Sequence, residues 1–276
     1  MSDSKNDLTE TLRQQYDAPM YEALLLVFGD NIHHAVFESP HDSFEQGAAH
    51  ANQMLAEAAV LEPNMRVLET ACGVGGAARY LARHFDVEVV ATNLSEGQLA
   101  IAEKRTTAAG LQQKISYEYA DFNDLPYAND EFDCYWSQDS WLYSEQKHRM
   151  IAEAYRVLAP GGRLVFSDIV VSSSVDDARS RGFLARIHAP AMWKVEDYET
   201  ALPQAGFTIL NQVDWTPNLE PSLHMLCSSI RAKKEQMAAI AGADEVADTI
   251  ARFETWHQAA HDGSLRHVFF AACKPT

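Results

Sequence analysis

The chain has few cysteines, no long apolar run and no signal-like beginning, and each shortage excludes a class of protein. No stretch of about 18 consecutive apolar residues occurs in the 276-residue sequence, so we expect no membrane span. The four cysteines, Cys72, Cys134, Cys227 and Cys273, are far apart and lack metal-ligand spacing, so we expect reduced, mostly buried thiols. The first twenty residues are polar without an apolar core, which predicts a cytoplasmic protein.

Basic residues are also scarce. The chain has 22 Lys and Arg against 39 Asp and Glu, which gives a formal net charge of -17. Such a surface repels phosphates, so we expect no nucleic-acid partner. The acidity would suit a salt-rich cytoplasm, because screening weakens self-repulsion. An acidic protein of ordinary surroundings explains the charge equally well, so charge alone does not choose between them.

Apolar residues make up 47% of the chain, enough for the core of one large domain. Six strands are predicted, at "MRVLETA", "VEVVATN", "KISYEYA", "EFDCYWS", "RLVFSDIV" and "FTILNQVDW". Helices are predicted at 8–28, 43–60, 75–85, 96–109, 145–158, 176–188 and 194–205. Alternation of this kind predicts a parallel sheet with helices on both faces and a site just after strands one to four. Residues 220–262 then predict two helices before a last strand, "SLRHVFFAACK".

A glycine turn follows strand one in "LETACGVGGAARYLA". Gly73 and Gly75 let the backbone approach a ligand, and the helix that follows offers free N–H groups. No Lys-Ser/Thr pair follows, which argues against a nucleoside triphosphate loop. The spacing Gly73-x-Gly75-x-x-Ala78 also satisfies the dinucleotide fingerprint, so the turn alone leaves two cofactor classes open.

Polar residues after the first three strands separate these two classes. Glu69 would repel a pyrophosphate but favour the ammonium and sulfonium groups of S-adenosylmethionine. Asn93, helped by Gln98, is placed to bond ribose hydroxyls. Asp121 would bind the adenine amino group, with Phe122 against the ring. The simpler alternatives are that Asn93 caps a helix and Asp121 forms a loop turn, but the ordered set favours S-adenosylmethionine over a nicotinamide dinucleotide.

Five segments in order complete a recognisable pattern: "VLETACGVGG", "ATNLSEGQ", "ADFNDLPY", "FDCYWSQDS" and "EAYRVLAPGGRLVFSD". They resemble the motifs of class I S-adenosylmethionine-dependent methyltransferases. The flanking segment "VFGDNIHHAVFES" resembles that of small-molecule methyltransferases that act on sarcosine and dimethylglycine, tocopherols and some sugars. The segments "WSQD", "RIHAPAMW" and "FETWHQAAHDGSLRHVFFAACK" are similar to those of sarcosine/dimethylglycine N-methyltransferases in particular. The resemblance implies a Rossmann-like, seven-stranded, mostly parallel sheet with an antiparallel last strand and a helical lid between strands six and seven.

The same resemblance implies a division of the chain and a set of cofactor contacts. An amino-terminal segment (1–60) would cover the site, residues 61–219 would bind the cofactor, 220–262 would form the lid and 263–276 the last strand. S-adenosylmethionine, leaving as S-adenosylhomocysteine, would be held by Tyr16, Glu69, Ala71, Gly73, Gly75, Asn93, Leu94, Gln98, Asp121, Phe122 and Gln138.

The acceptor would be a small molecule, and an amino-acid amine must lose a proton before it can be methylated. His188 is the candidate catalytic residue, and Arg186 the candidate partner of a substrate carboxylate. His33 or His34, in the amino-terminal segment, would close the site. Other acceptor contacts are expected from Tyr21, Trp141, Tyr143 and Trp193, whose rings could hold a methylated ammonium. The expected reaction is N-methylation of sarcosine or dimethylglycine to give glycine betaine, in a monomer or homodimer that needs no metal. The alternatives are O- or C-methylation of a sugar or phenol, a non-catalytic cofactor-binding protein, and a nicotinamide oxidoreductase.

Overall fold

The structure is a computed structural model that describes residues 18–176, 183–185, 189 and 192–276. Its centre is a seven-stranded sheet in the order β3-β2-β1-β4-β5-β7-β6. The strands are β1 (Arg66–Thr70), β2 (Glu88–Asn93), β3 (Ile115–Tyr119), β4 (Phe132–Gln138), β5 (Leu158–Val171), β6 (Thr208–Asp214) and β7 (Leu265–Cys273). The first five are parallel, and β7 runs antiparallel to both β5 and β6. The predicted fold class is confirmed.

Up to residue 204, the described helices alternate with the strands as predicted, and most of the helix predicted at 176–188 lies outside the described residues. These helices are α1 (Pro19–Phe28), α2 (Phe44–Ala59), α3 (Gly76–Phe85), α4 (Glu96–Ala108), α5 (Lys147–Val157) and α6 (Val195–Gln204). The start of α2 is fixed by hydrogen bonds between two polar side chains and the backbone. Ser43 accepts a hydrogen bond from the Gln46 N–H at 3.2 Å, and the Gln46 side chain accepts one from the Ser43 N–H at 2.8 Å. This capping box satisfies two N–H groups that would otherwise lack partners.

Apolar side chains bury both faces of the sheet. Along β4, Tyr135 belongs to the core layer that also contains Phe166 and Phe270, and its neighbour Trp136 belongs to the opposite layer with Phe269. Successive side chains of a strand point to opposite faces, so a strand covered on both sides is apolar without interruption. The strand therefore serves as scaffold up to Trp136, and its polar end begins beyond it.

The segment between β6 and β7 differs from the predicted pair of helices. Three helices form there: α7 (Thr216–Ala232), α8 (Lys234–Ala241) and α9 (Ala243–His261). The first begins earlier than expected. Pro217 suits the first turn of a helix, because its missing N–H breaks no hydrogen bond within the helix there. Gly242, with φ of 91°, separates the other two. That this segment acts as a lid, and that the chain divides at 60, 219 and 262, remain predictions.

Strand β5 also differs, since it begins at Leu158 and includes the "APGG" stretch, which precedes the predicted strand "RLVFSDIV". Gly161 adopts φ of 83° and donates its N–H to the Lys274 carbonyl at 2.8 Å, so the stretch forms an irregularity within the strand.

None of the described helices combines the length and apolar character needed to cross a membrane.

Candidate active site

A cavity open to solvent lies at the carboxyl ends of the parallel strands, and its empty space together with the adjoining solvent is about 1320 Å³. Its walls come from α1 and the loop after it, from the turns after β1 to β4, and from α7 and α9. Ten of the residues predicted to contact cofactor or acceptor line it: Tyr21, His33, Ala71, Gly73, Asn93, Leu94, Gln98, Phe122, Gln138 and Tyr143. Ligands of open parallel sheets bind at this edge, so the cavity is the candidate active site.

The turn after β1 depends on unusual backbone angles. Ala71 and Gly73 have φ of 56° and 55°, in the left-handed region, and both line the cavity. Gly75 was predicted to touch the cofactor, but it is not among the described lining residues. A Cβ on Gly75 would lie 2.1 Å from the Tyr117 hydroxyl, and one on Gly76 would lie 2.2 Å from the Asp30 carbonyl oxygen. These two glycines therefore let neighbouring segments pack against the turn.

Glu69 and Gln138 face a small recess beside the main cavity and present complementary orphan groups. Glu69 Oε2 and Gln138 Nε2 are buried without a hydrogen-bond partner among the described residues. The Gln138 amide is held by the Trp136 Nε1–H, which donates to its Oε1 at 3.0 Å. Burial raises the pKa of Glu69 to about 8, although Arg79 and the Ala78 N–H work against that rise. An acceptor and a donor side by side match the ammonium and carboxylate of an amino-acid group, such as the one S-adenosylmethionine carries.

Asn93 ties two turns together instead of capping α4. Its Nδ2 donates to Gln98 Oε1 at 2.8 Å and to the Gly73 carbonyl at 3.3 Å, and its Oδ1 accepts from the Leu94 N–H at 2.8 Å. The helix is capped by Ser95, which accepts from the Gln98 N–H at 3.0 Å. Asn93 still lines the cavity, so its predicted contact with the cofactor ribose remains a prediction.

The loop after β3 presents Phe122 to the cavity, whereas Asp121 forms a turn. Asp121 Oδ1 accepts from both the backbone N–H and the Nδ2 of Asn123, each at 2.8 Å. This is the loop turn that the sequence left open as the simpler alternative for Asp121. Oδ1 of Asp121 is thus used within the turn. The bond from Asp121 to the adenine amino group stays a prediction.

Two residues predicted to contact the acceptor are not among the described lining residues. Trp141 is fully buried and stacks on Phe166 with ring centroids 4.0 Å apart, so it belongs to the core. Trp193 packs edge-on against His148 at 4.9 Å and is not among the lining residues. A single 3₁₀ turn, Trp141–Tyr143, places Trp141 in the core and Tyr143 at the cavity. Tyr16, Arg186 and His188 lie outside the described residues.

A buried carboxylate that the sequence reasoning missed sits at the tip of β4. Asp139, with φ of 47°, accepts hydrogen bonds at Oδ1 from Ser167 Oγ (2.7 Å) and His267 Nε2 (3.0 Å), and at Oδ2 from the His34 N–H (2.8 Å). Burial opposes its charge, but His267, His34 and His33 outweigh burial and hold the pKa of Asp139 well below its usual range. Asp139 is therefore an ionised group in the cavity wall.

The His34 ring lies beside this carboxylate and lines the cavity. Its centroid is 5.9 Å from that of His267 and 6.4 Å from that of Trp256. Burial lowers the pKa of His34 to about 4, with Asp139 opposing the change, so the imidazole is neutral near pH 7. The sequence signals for this group were His34 in the amino-terminal segment and a polar residue at a strand tip. His267 gave no such signal, because it lies 128 positions after Asp139 in the chain.

One strong cation completes the cavity. Arg252 of α9 is the one guanidinium or ammonium group among the described lining residues. Its Nη2 donates to Thr249 Oγ1 at 3.3 Å. Aromatic rings surround the same space and are contributed by Tyr21, Phe28, Phe122, Tyr143, Phe253 and Trp256. Among the described lining residues, the cavity thus offers one guanidinium, one buried carboxylate and six aromatic rings.

Comparison with known proteins places this geometry in a family. A methyltransferase domain model matches residues 68–166. The chain is 32% identical to the sarcosine/dimethylglycine N-methyltransferase of Halorhodospira halochloris over 76% of each protein. It is 28% identical to the 27-O-demethylrifamycin SV methyltransferase of Amycolatopsis mediterranei, over 94% of this chain and 95% of that one.

Two further proteins are similar to this chain, one in sequence and one in structure. The chain is 30% identical to the glycine/sarcosine/dimethylglycine N-methyltransferase of Actinopolyspora halophila over 86% of its own length, but it spans only 42% of that protein. A crystal structure titled a putative sarcosine dimethylglycine methyltransferase from Galdieria sulphuraria shares the fold, with a TM-score of 0.86 at 23% identity and coverage of 93% and 98%. The chain belongs to the S-adenosylmethionine-dependent methyltransferases.

Proposed function

We propose that the protein methylates the nitrogen of a small amino acid, sarcosine or dimethylglycine, and so forms glycine betaine from the latter. The observation that supports this acceptor most is Arg252 in the cavity wall. A carboxylate taken out of water needs a cationic partner, and a guanidinium binds it with two parallel hydrogen bonds. An acceptor without an anionic group would leave this guanidinium without an ionic partner from the acceptor.

The cofactor end of the site is formed by the recess beside the glycine turn. There Glu69 would hold the ammonium and Gln138 the carboxylate of the methionine moiety, because each presents an orphan group of the right kind. When bound, S-adenosylmethionine supplies an electrophilic methyl group on a sulfonium centre. The protein's contribution is to align the amine with that group and to exclude water.

The acceptor end combines Arg252 with aromatic rings. Tyr21, Phe28, Phe253 and Trp256 line the cavity together with the arginine. Their faces would attract a methylated ammonium through cation–π contacts, worth about 0.5–2 kcal/mol for one ring. The carboxylate of a small zwitterion would thus contact the guanidinium of Arg252, and its nitrogen would contact the aromatic faces.

The amine must be neutral to attack, and His34 is suited to help. Burial in the cavity disfavours the ammonium form of the acceptor. The neutral imidazole of His34 can accept the departing proton, and the ionised Asp139 would stabilise the imidazolium that results. His188 is proposed for the same task on the resemblance alone, and Arg186 for the carboxylate.

Two variants separate these proton acceptors. His34→Gln keeps the backbone N–H that bonds Asp139 and removes only the imidazole. If His34 takes the proton, this variant loses turnover near pH 7, recovers part of it at higher pH, and keeps its affinity for S-adenosylhomocysteine. If His188→Ala alone shows that profile, the proton passes to His188 instead.

The acceptor itself is tested with a methyl-transfer panel of glycine, sarcosine, dimethylglycine, a phenol and a sugar. We expect product on sarcosine or dimethylglycine, and a KM for that acceptor at least about tenfold higher in Arg252→Met. Arg231→Met is the matched control, because Arg231 pairs with Glu254 at 2.6 Å on an exposed surface. Product on the phenol or sugar alone would overturn the proposal.

A second function has an observation of its own. Much of the wall is aliphatic, with Leu24, Ile32, Leu142, Ile169 and Leu223 facing the cavity. Such a surface suits a larger apolar acceptor with a hydroxyl group, and one relative named for O-methylation matches nearly the whole chain. His34 would then take the hydroxyl proton, and Arg252→Met would leave KM unchanged.

A further inference from the structure

Three side chains with metal-binding atoms meet on the outer side of the helices between β6 and β7. Glu220 and His224 lie four residues apart on α7, which puts them on one face of that helix. His257 faces them from α9. The inner sides of the two helices pack together through Leu223 and Trp256, so the helix pair is anchored in the core.

The atoms that could bind a metal are close together. His257 Nε2 lies 2.7 Å from Glu220 Oε1, and the His224 and His257 rings have centroids 5.6 Å apart. One potential ligand atom from each of the three residues falls within 4.8 Å of the others. In a tetrahedral zinc site with bonds of about 2.0–2.1 Å, two ligand atoms lie about 3.4 Å apart. Small side-chain rotations therefore suffice to bring all three to one ion.

We propose that Glu220, His224 and His257 bind a divalent transition-metal ion, with Zn²⁺ the best match. Two imidazoles and one carboxylate form a donor set that zinc accepts and that Mg²⁺ and Ca²⁺, which prefer oxygen, do not. The fourth position is open to water or to His261, whose ring centroid is 6.5 Å from that of His257. This site is separate from the methyl-transfer cavity and does not depend on which acceptor is methylated.

A metal at this position would join two helices that form part of the cavity wall. Leu223 and Trp256 line the cavity and are the chain neighbours of His224 and His257. A bound ion would thus restrain α7 against α9 without touching the reacting atoms. Its first effect is on the stability of this helix pair, because an ion that binds only the folded chain stabilises it.

The test is a calorimetric titration of the full chain, first stripped with a chelator, with Zn²⁺ alone. Saturating S-adenosylhomocysteine is present, so that the zinc affinities of wild type and variants are compared with the cavity occupied in each protein. We expect one Zn²⁺ to bind and to raise the unfolding temperature. His224→Gln and His257→Gln each lower the zinc affinity by more than about tenfold, since even outer partners of metal ligands are worth that much.

Two further variants complete the design. Glu220→Gln retains a side-chain oxygen that can accept from His257, so it keeps the helix contact while weakening the metal ligand. His41→Gln, at an exposed loop position, is the control and binds zinc like the wild type. The absence of zinc binding, or equal affinity in all four variants, overturns the proposal.

Discussion

Glu69→Gln should remove a loss of folding stability that the ligand-free wild type shows as pH rises, and it should lower the affinity for the cofactor. Glu69 is 4% exposed, and burial raises its pKa from 4.5 to about 8. The folded chain therefore retains a proton that the unfolded chain releases above pH 4.5. Folding stability is full below that pH and falls as pH rises to about 8. The glutamine does not titrate, so this loss is absent from the variant.

The size of the effect follows from the pKa difference. Each pH unit between 4.5 and 8 costs the wild type about 1.4 kcal/mol, so from pH 5 to pH 7 the stability gap between variant and wild type should widen by about 3 kcal/mol. Other titrating groups, such as Asp168, contribute equally to both proteins and cancel in the difference. Only the change in the gap is predicted, because the buried amide also changes the hydrogen bonding of the recess.

Urea unfolding at pH 5, 6 and 7 measures the gap. Calorimetry at pH 7 measures S-adenosylhomocysteine affinity, which should fall about ten- to a hundredfold with the loss of the hydrogen bond between Glu69 and the charged ammonium of the ligand. Glu62→Gln is the control, because this carboxylate is exposed in the turn before β1. Parallel stability curves for wild type and Glu69→Gln would refute the buried-proton argument, and unchanged affinity would refute the ammonium contact.

Three further predictions concern single positions. Trp141→Ala should cost about 3–5 kcal/mol in urea unfolding and leave the acceptor KM unchanged, whereas a changed KM would put the ring at the acceptor. Asp139→Asn, which presents an N–H to donors that a carboxylate now satisfies, should lower stability by about 2 kcal/mol and reduce turnover in the methyl-transfer assay. Gly76→Ala brings a Cβ to 2.2 Å from the Asp30 carbonyl oxygen, so its unfolding temperature should fall further than that of Gly110→Ala. Gly110 has open space around it and carries only a backbone cost of about 1 kcal/mol.

Local patterns were enough to predict the sheet and the glycine turn. Strand and helix periods are properties of short segments, and the polar residues that follow consecutive parallel strands must meet at one edge. That is why Asn93, Phe122 and Gln138, far apart in the chain, line one cavity as expected. Glu69, which lines the recess beside that cavity, was singled out by the same argument, from its place at the end of β1.

Ring directions and long-range pairs could not be predicted in this way. Trp141 and Tyr143 are two residues apart, yet one ring packs in the core and the other lines the cavity, because a 3₁₀ turn separates them. The Asp139–His267 contact joins residues 128 positions apart, and nothing local to either one announces it. Arg252 was missed because its helix was treated as cover for the site and not as a source of contacts.

The position of β7 has a consequence for the order of assembly. β7 is the last of the seven strands along the chain, but it lies inside the sheet, where it pairs with both β5 and β6. During synthesis β6 therefore emerges before the strand that must hold it, and its edge stays unpaired while the next fifty or so residues are made. His267, which bonds Asp139, arrives on the same strand. Sheet and site can therefore close only after β7, up to Cys273, has left the ribosome.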